Sequence, residues 1–122
     1  MNITQYYSGQ NGRFWVAINH ENKIIGHIAL DATCSSSKFK TVELRRLAVA
    51  TEYRRFGVGT RLVEHLTEKA LQDFKADHIF LTTSCLQIPA IKMYQKFGFV
   101  ITNPMLYRWM INAPEIKMEK YF

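Results

Sequence analysis

Two arginines and two glycines, Arg54, Arg55, Gly57 and Gly59, stand just ahead of a helical pattern that begins near Thr60. The arrangement suits an anion. The first N–H groups of a helix have no partner within it, and glycines remove the side chains that would hold a phosphate away. The helix dipole adds partial positive charge beside the guanidinium groups. Taken alone, such a glycine pair marks a flexible strand-to-helix turn more often than a phosphate site. Two other phosphate signatures fail. No Gly-Lys-Ser/Thr follows the glycines, which excludes a P-loop. Leu62 occupies the place of the third glycine in a dinucleotide fingerprint, and the preceding strands read as a hairpin. His20, His27, His65 and His78 lack mutual metal-ligand spacing and read as surface or packing residues, so no metal is expected.

The elements that must position this loop can be read from apolar spacing. Met1 to Gly12 is polar and reads as a helical turn or loop. Arg13–Ile18 and Lys23–Leu30 read as the two strands of a hairpin turning at Asn19–Asn22, and Cys34–Lys38 as a polar loop. In the next strand Val42 and Leu44 alternate, then the phase slips by one before Leu47 and Val49. One extra residue near Arg45 or Arg46 therefore predicts a β-bulge, which splays neighbouring strands. Leu62, Val63, Leu66, Ala70, Leu71 and Phe74 recur at helical steps and predict one apolar stripe against the sheet. His78–Thr83 is a near-continuous apolar run, as in a central strand parallel to the one before the helix. Pro89 and Gly98 bracket a second helix of about two turns. Phe99–Thr102 and Leu106–Ile111 read as the last strands, with Asn103-Pro104 turning between them, and Glu115–Phe122 as a charged tail.

With the elements in place, a family resemblance follows. Arg54-Arg55-Phe56-Gly57-Val58-Gly59 resembles the R/Q-x-x-G-x-G/A pyrophosphate loop of the GNAT N-acetyltransferases. Ala90-Ile91-Lys92-Met93-Tyr94-Gln95-Lys96-Phe97-Gly98-Phe99 resembles their A-x-x-x-Y-x-x-x-G-F helix and following strand. Phe14-Trp15-Val16-Ala17 and Thr83-Ser84-Cys85-Leu86-Gln87 look most like the camello-type members. The resemblance covers roughly residues 3 to 103. It implies an α+β fold: a mixed sheet with a splayed parallel strand pair and flanking helices. It also implies acetyl-coenzyme A as co-substrate and an amine as acceptor. The cofactor donors would be backbone N–H groups from Arg55, Phe56, Gly57, Val58, Gly59 and Thr60, with Arg54 at the Gln/Arg position. Leu47, Ala48 and Val49 would run beside the pantetheine arm, with the Leu47 and Val49 amides pairing to it. Gln87 would stand where many members have Asn.

Two catalytic roles follow from the resemblance. Glu43 lies fourteen residues before Gly57, a spacing similar to that of members whose general base is on this strand. An amine acceptor is mostly protonated at neutral pH and needs such a base or a water chain, while the alternative for Glu43 is a solvated strand glutamate. Tyr94 would be the acid that protonates the leaving thiolate, against the plainer reading of a core aromatic. Cys85 reads as structural, and attack is expected to be direct, in a ternary complex. A typical member has a strand and a helix pair before the hairpin, and this chain leaves almost no room for them. The first strand and helices are therefore expected to be largely missing, leaving Phe14–Ile18 an uncovered edge. That edge predicts a homodimer in which this region or the tail from Glu115 completes the sheet or the acceptor wall. The alternative is a monomer whose first dozen residues fold back.

Composition bounds the rest. At 122 residues, with 48% hydrophobic and 21% charged residues, the chain reads as one domain spanning 1–122. A formal charge of +6 suits an anionic partner without saying which. Arg45, Arg46, Arg54, Arg55 and Arg61 cluster, yet no recognised nucleic-acid motif accompanies them, so no nucleic-acid partner is expected. Two cysteines, Cys34 and Cys85, make neither a zinc ribbon nor a redox pair and suit a cytoplasmic setting. No apolar run approaches the roughly 18 to 20 residues that span a bilayer, and no signal-peptide core is evident, although camello-type proteins usually carry a hydrophobic segment ahead of the catalytic domain. The competing reading is a non-catalytic acyl-coenzyme A-binding or interaction module of the same fold, which would need neither Glu43 nor Tyr94.

Overall fold

The computed structural model describes residues 1–33, 38–102 and 115–122. Its chain order is β1 (Asn2–Ser8), β2 (Gly12–Ile18), β3 (Ile24–Asp31), β4 (Thr41–Val49), α1 (Val58–Phe74), β5 (His78–Ser84), α2 (Ile88–Lys96), β6 (Val100–Ile101) and β7 (Glu115–Tyr121). The strands form one sheet in the order β1-β2-β3-β4-β5-β7-β6. Only β4 and β5 run parallel; every other neighbouring pair is antiparallel.

Strand alternation explains how one helix can cover half of this sheet. Trp15, Ile28, Leu30, Val42 and Leu44 are buried and meet the Leu62, Val63, Leu66 and Ala70 stripe of α1. Each such large apolar side chain contributes about 1.5–3 kcal/mol by leaving water. Leu71, expected in that stripe, is exposed instead, because it falls past the face that Leu66 and Ala70 define. Residues of the other parity, among them Phe14, His27, Asp31, Glu43, Arg45 and Phe80, lie on the opposite face of the sheet.

Two expectations are overturned. Met1 to Gly12 is not a turn or loop: Asn2–Ser8 is a strand, paired antiparallel to β2 from Asn2↔Ile18 to Ser8↔Arg13. Phe14–Ile18 therefore has its neighbour, and the first strand is present. The three residues Gly9–Asn11 join β1 to β2, so no helix pair lies between them. The strand escaped a periodicity reading because it is an edge strand whose residues are exposed apart from a half-buried Ile3, so no buried face forces alternation. Nor is Glu115–Phe122 a tail. It forms β7, inserted between β5 and β6, with Ile116 and Met118 buried between outward Glu and Lys residues. The expected turn at Asn103-Pro104, the strand at Leu106–Ile111 and the loop at Cys34 lie outside the described residues, as does part of the last strand's surroundings. Of Phe99–Thr102, Val100 and Ile101 are strand.

Candidate active site

The bulge appears where the phase slip predicts it. The β3–β4 register passes from His27↔Ala48 to Ala29↔Arg45, so Arg46 and Leu47 stand together against Ile28. Arg46 has φ 55°, a left-handed conformation that costs a non-glycine residue roughly 1–2 kcal/mol. The His27 ring helps to hold it: Nδ1–H donates to the Arg46 carbonyl at 2.6 Å while the ring stacks on Phe14, with centroids 5.4 Å apart.

From the residue before the bulge segment onward, past Glu43, the parallel pair comes apart. β5 pairs with β4 only through Thr41↔His78, Val42↔Ile79 and Glu43↔Phe80. From Leu44 to Val49, β4 has no strand partner on that side among the described residues. The result is a wedge with Glu43 and Phe80 at its apex. One arm carries Leu47, Ala48 and Val49, and the other leads from β5 to Gln87, the exposed N-cap of α2.

At the mouth of the wedge lies the loop before α1. Gly57 is the N-cap of α1 with φ 77°, and no side chain caps the first-turn amides. The first backbone bond of the helix is from Arg61 N–H to the Gly57 carbonyl, at 3.0 Å. The N–H groups of Val58, Gly59 and Thr60 thus keep the donor capacity of an open helix end. A Cβ at Gly57 would meet nothing within 4 Å, so the loop is unobstructed at the residue that precedes those donors. Gly59 differs: a Cβ there would touch Met93 Sδ at 3.6 Å and Val49 Cγ2 at 3.7 Å, which are ordinary contacts. Gly57 is thus required by its backbone, whereas Gly59 sits where α1, α2 and β4 converge. Arg54 is tethered at the end of the wedge, its Nε–H donating to the Val49 carbonyl at 3.3 Å, and Arg55 is exposed with φ 74°. The Phe56 side chain, 76% exposed, turns away and lines a separate groove of about 480 Å³ with Tyr53, Val58 and Arg61. Phe56 can offer an anion only its backbone.

Three ionisable groups on these elements have shifted proton affinities. Tyr94 on α2 is buried, edge-on to Phe99 at 5.9 Å, and has no hydrogen-bond partner among the described residues. Burial pushes its phenol up to about 12, so it stays protonated. Glu43 is half-buried; burial raises its carboxyl above the ordinary value, Arg45 pulls it down and Asp31 pushes it up. Asp31, its cross-strand partner, is lowered, first by the Thr33 N–H that donates to it at 2.9 Å and then by Arg45 at 3.5 Å. The Asp31–Arg45–Glu43 juxtaposition was not found by motif matching. Its signal is the register of β3 on β4, which no single segment carries.

The histidines divide as surface or packing groups. His20 is exposed, His65 packs edge-on to Trp15 at 5.2 Å, and His78 is buried with Nε2 at 2.9 Å from Glu119. No group of three potential metal ligands occurs among the described residues. No helix among them is long and apolar enough to cross a membrane. Cys85 is a partly buried free thiol packed against the core.

Comparison with known proteins gives a consistent result. The family model described as Acetyltransferase (GNAT) family matches residues 2–99. Probable N-acetyltransferase 14 of Xenopus tropicalis is 36% identical over 102 residues, 83% of this chain and 47% of that protein. Human N-acetyltransferase 8 is 32% identical over 107 residues, 86% of this chain and 46% of that protein. This chain therefore spans about half the length of these relatives. Among solved structures, a Bacillus anthracis protein described as a "putative streptothricin acetyltransferase", in complex with acetyl coenzyme A, superposes with a TM-score of 0.78 at 28% identity, covering 96% of this chain and 66% of its own.

Proposed function

Because the chain belongs to the acetyltransferase (GNAT) family, we propose that it moves the acetyl group of acetyl-coenzyme A to a primary amine by direct attack in a ternary complex. The observation that carries this reading is the uncapped N-terminus of α1 at Gly57, facing open space at the mouth of a wedge whose apex holds Glu43. The amides of Val58, Gly59 and Thr60, with Arg54 and Arg55, suit a pyrophosphate. The unpaired flank of β4 from Leu47 to Val49 suits a pantetheine amide arm lying as one more strand, with Gln87 across from it.

In this reading the acceptor arrives as an ammonium ion and gives a proton to the Glu43 carboxylate. The freed nitrogen lone pair forms the bond to the acetyl carbon, and the carbon–sulfur bond breaks with its electron pair going to sulfur. The second proton that the nitrogen must lose passes to the thiolate, so that a neutral amide and the coenzyme A thiol leave while Glu43 returns its proton to solvent. Burial, which raises the Glu43 carboxyl from its ordinary value, makes it a better proton acceptor and so suits it to the task of base. Tyr94 donates a hydrogen bond to the departing sulfur. With the phenol near 12 and a thiol near 8.5, complete proton transfer is uphill by roughly 5 kcal/mol, so the phenol acts chiefly by hydrogen bonding. Cys85, packed against the core, is not needed as a covalent carrier. Resemblance to the N-acetyltransferase 8 proteins supports the camello-type reading, and a cytoplasmic setting would keep Cys85 reduced. The test is thiol release from acetyl-coenzyme A with a panel of primary amines, read with intact mass. Binding of coenzyme A without thiol release for any amine would favour the non-catalytic module.

We also infer a homodimer, now through β1. This strand forms the sheet's outer edge, and its seven residues, Asn-Ile-Thr-Gln-Tyr-Tyr-Ser, include no charged group although the chain carries +6. Edges usually carry lysine or proline to prevent pairing, and two copies of this one can pair antiparallel without repulsion. In light scattering Gln5→Lys should halve the mass, by putting a charge in the middle of each copy's pairing edge. A parent already monomeric at high micromolar concentration sinks the dimer.

A further inference from the structure

On the face opposite α1, a groove of about 630 Å³ runs from the β1–β2 turn to the bulge, lined by residues that include Tyr7, Phe14, Asp31, Arg45 and Arg46. Glu43 is not in its lining. Asp31 is, and Asp31 is the residue directly across the strand pair from Glu43. We propose that this groove holds the acceptor amine as its ammonium ion and that Asp31 is the carboxylate that docks it beside Glu43. The inference rests on Glu43 being the base.

The two carboxylates are prepared for different tasks. Asp31 is held in its charged form by the Thr33 amide and by Arg45, whereas Glu43 is half-buried and more easily protonated. Neighbouring carboxyls whose environments separate their proton affinities commonly divide binding from proton transfer. Arg45 reaches Asp31 at only 3.5 Å and its side chain is 48% exposed, a weak tether that an ammonium can replace. Among the described residues the other charged or titratable groups around this region are Arg13 on the groove wall, Arg46 and His27 at the bulge and, across Phe80, the His78–Glu119 pair with Lys117, whose Nζ lies 5.0 Å from the Phe80 ring centroid. With Arg45 and Arg46 on the groove wall, a second positive charge on the acceptor gains nothing. The acceptor class is therefore a monoamine rather than a polyamine.

The experiment is a carbon-detected NMR titration of the side-chain carboxyls in the acetyl-coenzyme A complex, with n-butylamine as probe. Butylamine should shift the Asp31 and Glu43 carboxyl signals saturably, and spermidine should bind no more tightly. Asp31→Asn should weaken butylamine binding by about ten-fold or more, and Asp31→Glu should recover most of it. Because Asp31 raises and Arg45 lowers the Glu43 carboxyl, Asp31→Asn should move the Glu43 titration to lower pH. Arg45→Gln should move it to higher pH and tighten butylamine. Damage to the fold would not produce opposite shifts. An Asp31 signal that butylamine leaves unmoved in the parent protein overturns the proposal, as does unchanged binding in Asp31→Asn. Failure of the Glu43 reading looks different: Glu43→Gln would keep full turnover while the Asp31 results stood.

Discussion

At its C-terminal end α1 closes on itself, with Lys75 in the left-handed conformation at φ 52° and the Ala76 N–H returning to the Ala70 carbonyl at 3.0 Å. At its N-terminal end Gly57 is also left-handed, yet no side chain among the described residues caps the helix, and the space beside Gly57 is open. A capping side chain there would contribute roughly 1 kcal/mol. A helix that finishes one end and leaves the other unsatisfied is stabilised further when an anion takes the missing place. One terminus is thus closed within the fold, and the other is the end that the proposed cofactor site uses.

The largest expected effect breaks that contrast at the open end. Acetyl-coenzyme A should raise the melting temperature, since a ligand at a hundred times its Kd and bound only to the folded state adds about 2.7 kcal/mol. Gly57→Glu should abolish the shift. The new Cβ meets no protein atom within 4 Å, but the change forces a residue with a Cβ to φ 77° and brings a carboxylate to the helix end proposed to take the pyrophosphate. A variant that keeps the full thermal shift removes this helix end from the binding site.

Tyr94→Phe separates binding from chemistry. The hydroxyl makes no hydrogen bond among the described residues, and the ring's edge contact with Phe99 survives the change, so fold and cofactor affinity should hold. Turnover should fall roughly ten-fold or more, because a donor to the leaving sulfur is lost. Equal turnover in steady-state assays would make Tyr94 a packing residue.

The same contrast shows what a sequence can carry. The open end was legible because a glycine-rich turn and the helix after it are contiguous, and a local conformational demand leaves a local trace at Gly57. The bulge was legible for the same reason, as a slip of phase between Leu44 and Leu47. β1 and β7 were not. β1 buries no face, so Asn2–Ser8 has no pattern to betray it. β7 owes its position between β5 and β6 to pairings such as Leu81↔Met118, formed with a strand more than thirty residues earlier. The Asp31–Glu43 pair was hidden likewise, since two carboxylates in separate strands become neighbours only once the β3–β4 register is set. Its charge balance then depends on Arg45, two residues further along the same face.

The smallest effect belongs to the closed end, and it tests whether the two ends are independent. Lys75 pays the steric cost of a left-handed backbone at a position that most helices give to glycine. Lys75→Gly removes that cost of roughly 1–2 kcal/mol, and the greater freedom of glycine in the unfolded chain returns about 0.4–1 kcal/mol of it. A net gain of several tenths to about 1 kcal/mol should remain, worth a rise of a few degrees in melting temperature. Gly57→Ala, the matching change at the other end, should lower stability, because it introduces the strain that Lys75→Gly relieves. The acetyl-coenzyme A shift separates the ends further. It should be unchanged in Lys75→Gly, whose site lies a full helix length from Gly57, and diminished in Gly57→Ala, where the strained backbone tends to leave the left-handed conformation that sets the loop. Melting curves of both variants, with and without acetyl-coenzyme A, supply all four numbers. A ligand shift altered by Lys75→Gly would mean that the helix passes strain from one terminus to the other, and the division between a structural and a ligand-binding end would fall.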